Sequence, residues 1–394
     1  MAFHWLADAP ATGPVGAARP FRSAQGARVC WRGRELVNFA SDDYLNLAAD
    51  CRPARSAARA LRHYGAGAGA PPYVGGFLLP QNRLEQELAE FLGAEAALVF
   101  AGEYDASVGV IGSLLSPADA LFADCMNQPS LYDGSRLSGA GLHLYDHCSP
   151  RHLSELLKRH GRSARRRLIA TDSVFSLDGD LAPLHDLAGL AVRHDAMLLV
   201  NEDHALGIMG PSGRGLGEWL DHCEMRPALE LIKIGSLGKA VGAQGGYVAG
   251  PRPLIDWLRR HARPYATVTA LAPPLAAAAW RSLRIIAAEP ERRIRVLRLA
   301  AQLRESLRAE KFTISASESH ILSVLVGPTD DTIRLAERLH ARGFLTTAVT
   351  PPLVPGAAAR LRFTVTAGHH DEEIRRVAEV LRGCRPEVER LSAA

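Results

Sequence analysis

The chain reads as an α/β protein: one large, mostly parallel sheet with helices on both faces, joined to a smaller α+β unit. Three observations support this. The 394 residues suffice for one large core plus a smaller one. Short apolar runs alternate from about residue 84 to 250 with segments whose apolar residues recur every three or four positions. Buried runs with helices between them imply parallel strands covered on both sides.

The elements follow in order. In the N-terminal segment, residues 1–60, ARVCWRGRELVNFAS reads as a hairpin able to pack against the C-terminal unit. The large domain, 61–265, carries the runs ALVFA, ALFAD, LHLYD, RLIATD, AMLLV, ELIKIGS and GYVAG, with helical patterns such as HLSELLKRHG and PLHDLAGLAVRHD between them. The small domain, 266–394, has helical patterns over 275–309, then LSVLV, a helix near 331–342, LTTAVT, RLRFTVT and a final helix from about 371.

Composition excludes several classes of function. A formal net charge of +4 gives no reason to expect nucleic acid or a membrane surface. No stretch of about 18 apolar residues is present to span a bilayer. MAFHWLADAPATGPVG lacks a basic leader followed by an apolar run, so a cytoplasmic location is expected. Six cysteines are scattered singly and are expected to be free thiols. With no dinucleotide fingerprint, ligand-spaced His/Cys cluster or Walker loop, no metal is expected.

Only four of the 46 basic side chains are lysines: Lys158, Lys233, Lys239 and Lys311. Arginine cannot form a Schiff base or readily lose its proton, so each lysine is a candidate for such chemistry. Lys239 stands out, in IKIGSLGKAVGAQGG, where glycines allow close backbone approach and Ser236 offers a hydroxyl to an anion. Burial at a strand end is expected to lower its pKa and make it nucleophilic. A lone lysine is ordinarily a solvated surface charge. Here NEDHALG, at the end of another run, brings acids and His204 into play, and ligands of parallel sheets sit beyond the strands' carboxyl ends. Asp172, Asn201 and Ser236 all fall there.

The ordered segments NFASDDYLNLA, GAGAGAPPYVGGF, RLEQELAEFLGAEAALVF, TDSVFSLDGDLAPL, HALGIMGPSGRG, GSLGKAVGAQGG and RLRFTVTAGHH resemble the α-oxoamine synthases. That resemblance implies the fold-type I (aspartate aminotransferase-like) PLP-transferase fold and the cofactor pyridoxal 5′-phosphate (PLP). It also implies a homodimer, and condensation of an amino acid with an acyl thioester (on coenzyme A or an acyl carrier protein) with loss of the carboxylate. Lys239 then matches the lysine that carries the cofactor and moves the substrate α-proton. His204 and Ser176 match groups at the phenolic edge, and Ser236 a phosphate ligand. Arg362, with Asp42, matches the substrate-carboxylate site.

The departures lie in the cofactor pocket. Asn201 stands where the family has an aspartate against the pyridine nitrogen, and Gln128, followed by Pro129, where it stacks a histidine. In the phosphate loop, GEYDAS keeps an aromatic at Tyr104 but puts Glu103 for glycine and Ser107 for asparagine; Gln81 replaces a further histidine. A charge-assisted bond is about twice as strong as a neutral one, so Asn201 would leave the ring a poorer electron sink, by about 1.4 kcal/mol per pKa unit. Loss of stacking removes roughly 1 kcal/mol. Glu103 would repel a phosphate unless it turns away. A retuned PLP enzyme is therefore expected, with a PLP-independent acyl-transfer enzyme or a non-catalytic partner subunit as the alternatives.

Overall fold

The structure, a computed structural model, describes residues 20–392 apart from 222 and 355. The expectations for residues 1–19, including the absence of a leader, lie outside the described residues. In chain order, the hairpin β1 (Arg28–Trp31) and β2 (Arg34–Asn38) precedes α1 (Cys51–Tyr64) and α2 (Leu79–Leu92). The alternating region follows: β3 (Ala96–Phe100), α3 (Glu103–Leu114), β4 (Ala120–Asp124), α4 (Pro129–Ser138), β5 (Gly141–Tyr145), α5 (Pro150–His160), β6 (Arg167–Asp172), α6 (Leu184–Arg193), β7 (Met197–Asn201), β8 (Leu231–Ser236) and β9 (Gly246–Gly250). Then come α7 (Arg252–His261), α8 (Arg263–Thr267), α9 (Pro273–Ala288), α10 (Glu291–Ala309), β10 (Ile321–Gly327), α11 (Thr329–Ala341), β11 (Phe344–Leu345), β12 (Thr347–Val349), β13 (Ala359–Thr364) and α12 (Asp371–Ser392).

All seven apolar runs of the alternating region become strands of one sheet, ordered β3-β9-β8-β7-β6-β4-β5. The β5-β4-β6-β7-β8 pairings are parallel; β9 runs antiparallel to both β8 and β3. Successive residues feed opposite cores. Leu198 and Val200 point into the core beneath α6, and Leu199 into the core with Val110 and Ile111 of α3. A sheet buried on both faces needs such continuously apolar strands.

The hairpin is extended by β11, which pairs in parallel with β2, while β12 joins β13 and β10 in a separate antiparallel sheet. The LTTAVT run is thus split between two sheets rather than forming one strand. A third core, around Phe39, Leu303, Phe363 and Leu381, lies between α10, α12 and β13. None of the six cysteines is in a disulfide. Among the described residues no helix is long and apolar enough to cross a membrane.

Candidate active site

The parallel strands place their carboxyl ends side by side: Asp124 ends β4, Asp172 β6, Asn201 β7 and Ser236 β8. Beyond β7 the chain turns sharply, held by Glu202, whose fully buried carboxylate accepts from the Leu216 and Gly217 N–H groups at 3.0 and 2.7 Å. Beyond β8 the Ser236 Oγ accepts from Gly238 N–H at 3.0 Å, which leaves its own proton to donate. Gly242, at φ 67°, closes that turn onto the Lys239 carbonyl. A Cβ there would sit 2.5 Å from the Ala48 nitrogen, so only glycine lets segment 43–48 lie against the lysine turn.

These turns bring Lys239 and His204 together. Lys239 Nζ lies 3.3 Å from His204 Nε2, and its side chain keeps 16% exposure. On its other side it donates to Asp203 Oδ2 at 2.7 Å. The Gln128 side-chain amide donates to the same oxygen at 3.0 Å, while Asp203 Oδ1 is buried with no partner among the described residues. Asp203, two residues past the strand end, is thus the acid of this rim.

Asn201 does not present an open amide. Its Nδ2 donates to Asp172 Oδ1 at 2.9 Å and its Oδ1 accepts from the Asp203 N–H at 3.2 Å, so both ends are used inside the rim. Glu103, at the start of α3, turns sideways and accepts from the hydroxyls of Ser107 and Ser130 at 3.3 and 3.2 Å. Tyr104 lies at the surface, half exposed, its hydroxyl on Asp133. Gln81 is buried behind β3, donating to Glu85 and the Val99 carbonyl. Arg362 Nε donates to the Ser176 carbonyl at 2.6 Å and its Nη2 to Asp42 Oδ1 at 3.4 Å. The described interaction of Ser176 is therefore through its backbone.

Sequence reasoning missed three further groups. Tyr44, fully buried, lies 2.7 Å by its hydroxyl from His204 Nδ1 and donates to Asp42 Oδ1 at 3.0 Å. His320 packs edge-on to Tyr44, with both ring nitrogens buried and unpartnered among the described residues. Asp203 itself was visible only as the second acid of NEDH; nothing in the spacing told which acid would face the lysine.

The electrostatics correct one expectation. Burial, the largest influence, opposes the charge on Lys239, but the carboxylate of Asp203, joined by Asp42 and Glu103, outweighs it. The amine is therefore held above the ordinary lysine range, not below it. Burial lowers His204 well below the usual histidine range, reinforced by Lys239 and Arg362, so its imidazole is neutral. Burial raises Glu103, helped by the charge of Asp203. Burial also pushes Asp172 up to about 8, against the Asn201 bond and with the repulsion of Asp203.

With this geometry in place, the relatives are informative. Residues 34–381 match the family model for aminotransferase class I and II, and the chain belongs to that family. It is 44% identical to the 8-amino-7-oxononanoate synthase of Anaeromyxobacter dehalogenans, over 90% of this chain and 88% of that one. To the enzyme of the same name from Nitrosococcus oceani it is 41% identical, over 92% and 95%. A serine palmitoyltransferase solved with PLP superposes with a TM-score of 0.90 at 26% identity, covering 94% of this chain and 93% of the other. The 8-amino-7-oxononanoate synthase of Francisella tularensis superposes with a TM-score of 0.75 at 26% identity, over 88% and 97%. The fold is therefore the fold-type I PLP-transferase fold.

Proposed function

We propose that this protein is a PLP-dependent acyltransferase of the α-oxoamine synthase type, condensing an amino acid with an acyl thioester and releasing carbon dioxide. Within that class, the 44% and 41% identities to two 8-amino-7-oxononanoate synthases, each over about nine-tenths of both chains, support that activity. The single observation that carries the proposal is the Lys239 amine, held between Asp203 and His204 at the carboxyl edge of the sheet.

The residues fit the cofactor. Asp203 Oδ1 is a buried acceptor in want of a donor, which a ring N–H or hydroxyl satisfies. The first turn of α3, preceded by Gly102 with no side-chain cap, offers N–H groups to a phosphate. When bound, PLP supplies an electron sink for a carbanion at the substrate α-carbon. Lys239 would hold the cofactor, and its amine would take and return the α-proton. His204, Ser176 and Asn201 would hold the ring and Ser236 the phosphate, while Gln128 fixes Asp203. Glu103 is turned aside by its bonds to Ser107 and Ser130, away from the open first turn of α3. Arg362, with Asp42 beside it, grips the substrate carboxylate through its remaining N–H groups.

The relatives do not favour a PLP-independent enzyme or a non-catalytic partner subunit. A cytoplasmic homodimer completes the reading, by analogy with the family. Purified with added PLP, the protein should turn yellow and release thiol and carbon dioxide from an amino acid and an acyl thioester. A colourless protein that still transfers acyl groups would replace this reading with the PLP-independent one.

A further inference from the structure

The proposed condensation has a proton requirement that its own lysine cannot meet. An amino-acid zwitterion, an acyl thioester and one proton give an aminoketone cation, carbon dioxide and a thiol. One C–C bond forms while the C–S and C–carboxylate bonds break. Two protons are delivered per turnover, one to the leaving sulfur and one to the carbon that loses carbon dioxide. Lys239 can return the α-proton to one of them. The other has to come from solvent into a site where Lys239, His204, Asp203 and Tyr44 are all largely buried.

We propose that His204, Tyr44 and Asp42 form a proton relay between solvent and Lys239. The inference rests on the condensation reading above. Its geometry is continuous: Lys239 Nζ to His204 Nε2 is 3.3 Å, His204 Nδ1 to Tyr44 hydroxyl 2.7 Å, and Tyr44 hydroxyl to Asp42 Oδ1 3.0 Å. The inner members are buried, whereas the Asp42 side chain is 39% exposed and sits at the solvent end. Donors and acceptors are consistent in both directions. With Lys239 an ammonium, it donates to Nε2, the Nδ1–H to the Tyr44 oxygen, and the Tyr44 O–H to Asp42. With Lys239 a neutral amine, Asp42 takes a proton from water and passes it to the Tyr44 oxygen. Tyr44 then gives its own proton to Nδ1, and Nε2–H gives one inward.

Each hop breaks one O–H or N–H bond and forms another, and no atom moves beyond hydrogen-bond reach. The neutrality of His204, due first to burial, and the raised pKa of Tyr44, also due first to burial, favour a concerted shift over a stored charge. Tyr44 and Asp42 are positioning residues acting through His204, with Asp42 also beside Arg362.

The test uses the PLP-loaded enzyme with glycine, L-alanine or L-serine and a series of saturated acyl and terminally carboxylated acyl thioesters, each on coenzyme A and on acyl carrier protein. Turnover is read as thiol release at saturating amino acid. Tyr44→Phe keeps the ring and removes the relay oxygen; Asp42→Asn keeps an acceptor that cannot carry the proton. Both should lower kcat by roughly 10²-fold while PLP attachment to Lys239 is kept. In both, small diffusible acids such as imidazolium should restore turnover in proportion to concentration, which a merely misfolded or mispacked site would not allow. Wild-type turnover should be indifferent to them. Variants with wild-type kcat, or with a loss that no buffer restores, overturn the relay and leave the condensation reading standing. A wild type that carries PLP yet releases no thiol overturns the condensation reading, and the relay with it.

Discussion

Lys239 Nζ stands 2.7 Å from Asp203 Oδ2, an ion pair buried where β7 and β8 give way to their turns. The pair reverses what burial alone would do to the amine: it stays charged higher into the basic range than an ordinary lysine. An amine must be neutral to attack an aldehyde. Under the proposed function, Asp203 therefore sets when Lys239 can take up PLP.

Asp203→Asn should lower the pH at which PLP attaches. With the carboxylate gone, burial dominates and the amine deprotonates earlier, moving the midpoint of the attachment rate down by roughly 1–3 pH units. Stopped-flow absorbance across a pH series reads this directly. An unmoved midpoint would mean that the pair does not set the lysine's protonation.

Asp172 and Asn201 form a second coupled pair, at 2.9 Å. Burial pushes Asp172 up to about 8, far above the usual carboxylate range, so the folded protein keeps a proton that the unfolded chain releases. Stability from this group is greatest at low pH and declines as pH rises from about 4 to 8. Asp172→Asn should remove that slope in urea denaturation. Asn201→Asp, which puts the family's aspartate at this position, sets a second carboxylate against Asp172. It should lose stability relative to wild type as pH rises, and the double variant with Asp172→Asn should recover it. Enhanced cofactor affinity from Asn201→Asp without loss of stability would argue against this pairing.

His147 is clamped between Asp124 and Asp180, with Nδ1 and Nε2 at 2.9 and 2.6 Å from their carboxylate oxygens. Burial opposes its charge, but these bonds push its pKa up to about 12. Its stabilisation is therefore complete below the unfolded value near 6.5 and lost as pH rises through about 12. His147→Gln leaves the buried Asp124 short of a cation and should cost roughly 1–3 kcal/mol below pH 6, shrinking toward alkaline pH. A deficit independent of pH would contradict the charged clamp.

Arg362→Lys should raise the KM for the amino acid roughly 10- to 100-fold, since a point charge replaces a fork whose Nε is already anchored on the Ser176 carbonyl. PLP attachment should not change. Equal effects on both would place Arg362 in general folding rather than in carboxylate binding.

Most of the scaffold was legible because burial on both faces leaves a strand little choice but a continuous apolar run, and all seven such runs pair in one sheet. Where a run carries no such constraint, reading failed. LTTAVT divides at Thr346, with Phe344–Leu345 on β2 and Thr347–Val349 on β13, a split set by tertiary pairing. In the site, Lys239 and His204 could be singled out from their turns, and the structure places them 3.3 Å apart. Which acid would meet the lysine was not, because strand register points Asn201 at its neighbour Asp172, while a turn aims Asp203 across the site. The sign of the Lys239 shift failed for the same reason: burial could be read from the run, but the partner could not.

Borohydride reduction of the PLP-treated protein, followed by peptide mapping, tests most directly whether Lys239 carries the cofactor. With only four lysines in the chain the outcome is unambiguous. One reduced pyridoxyl group is expected, on Lys239. No label, or a label on Lys158, Lys233 or Lys311 with Lys239 untouched, would contradict it.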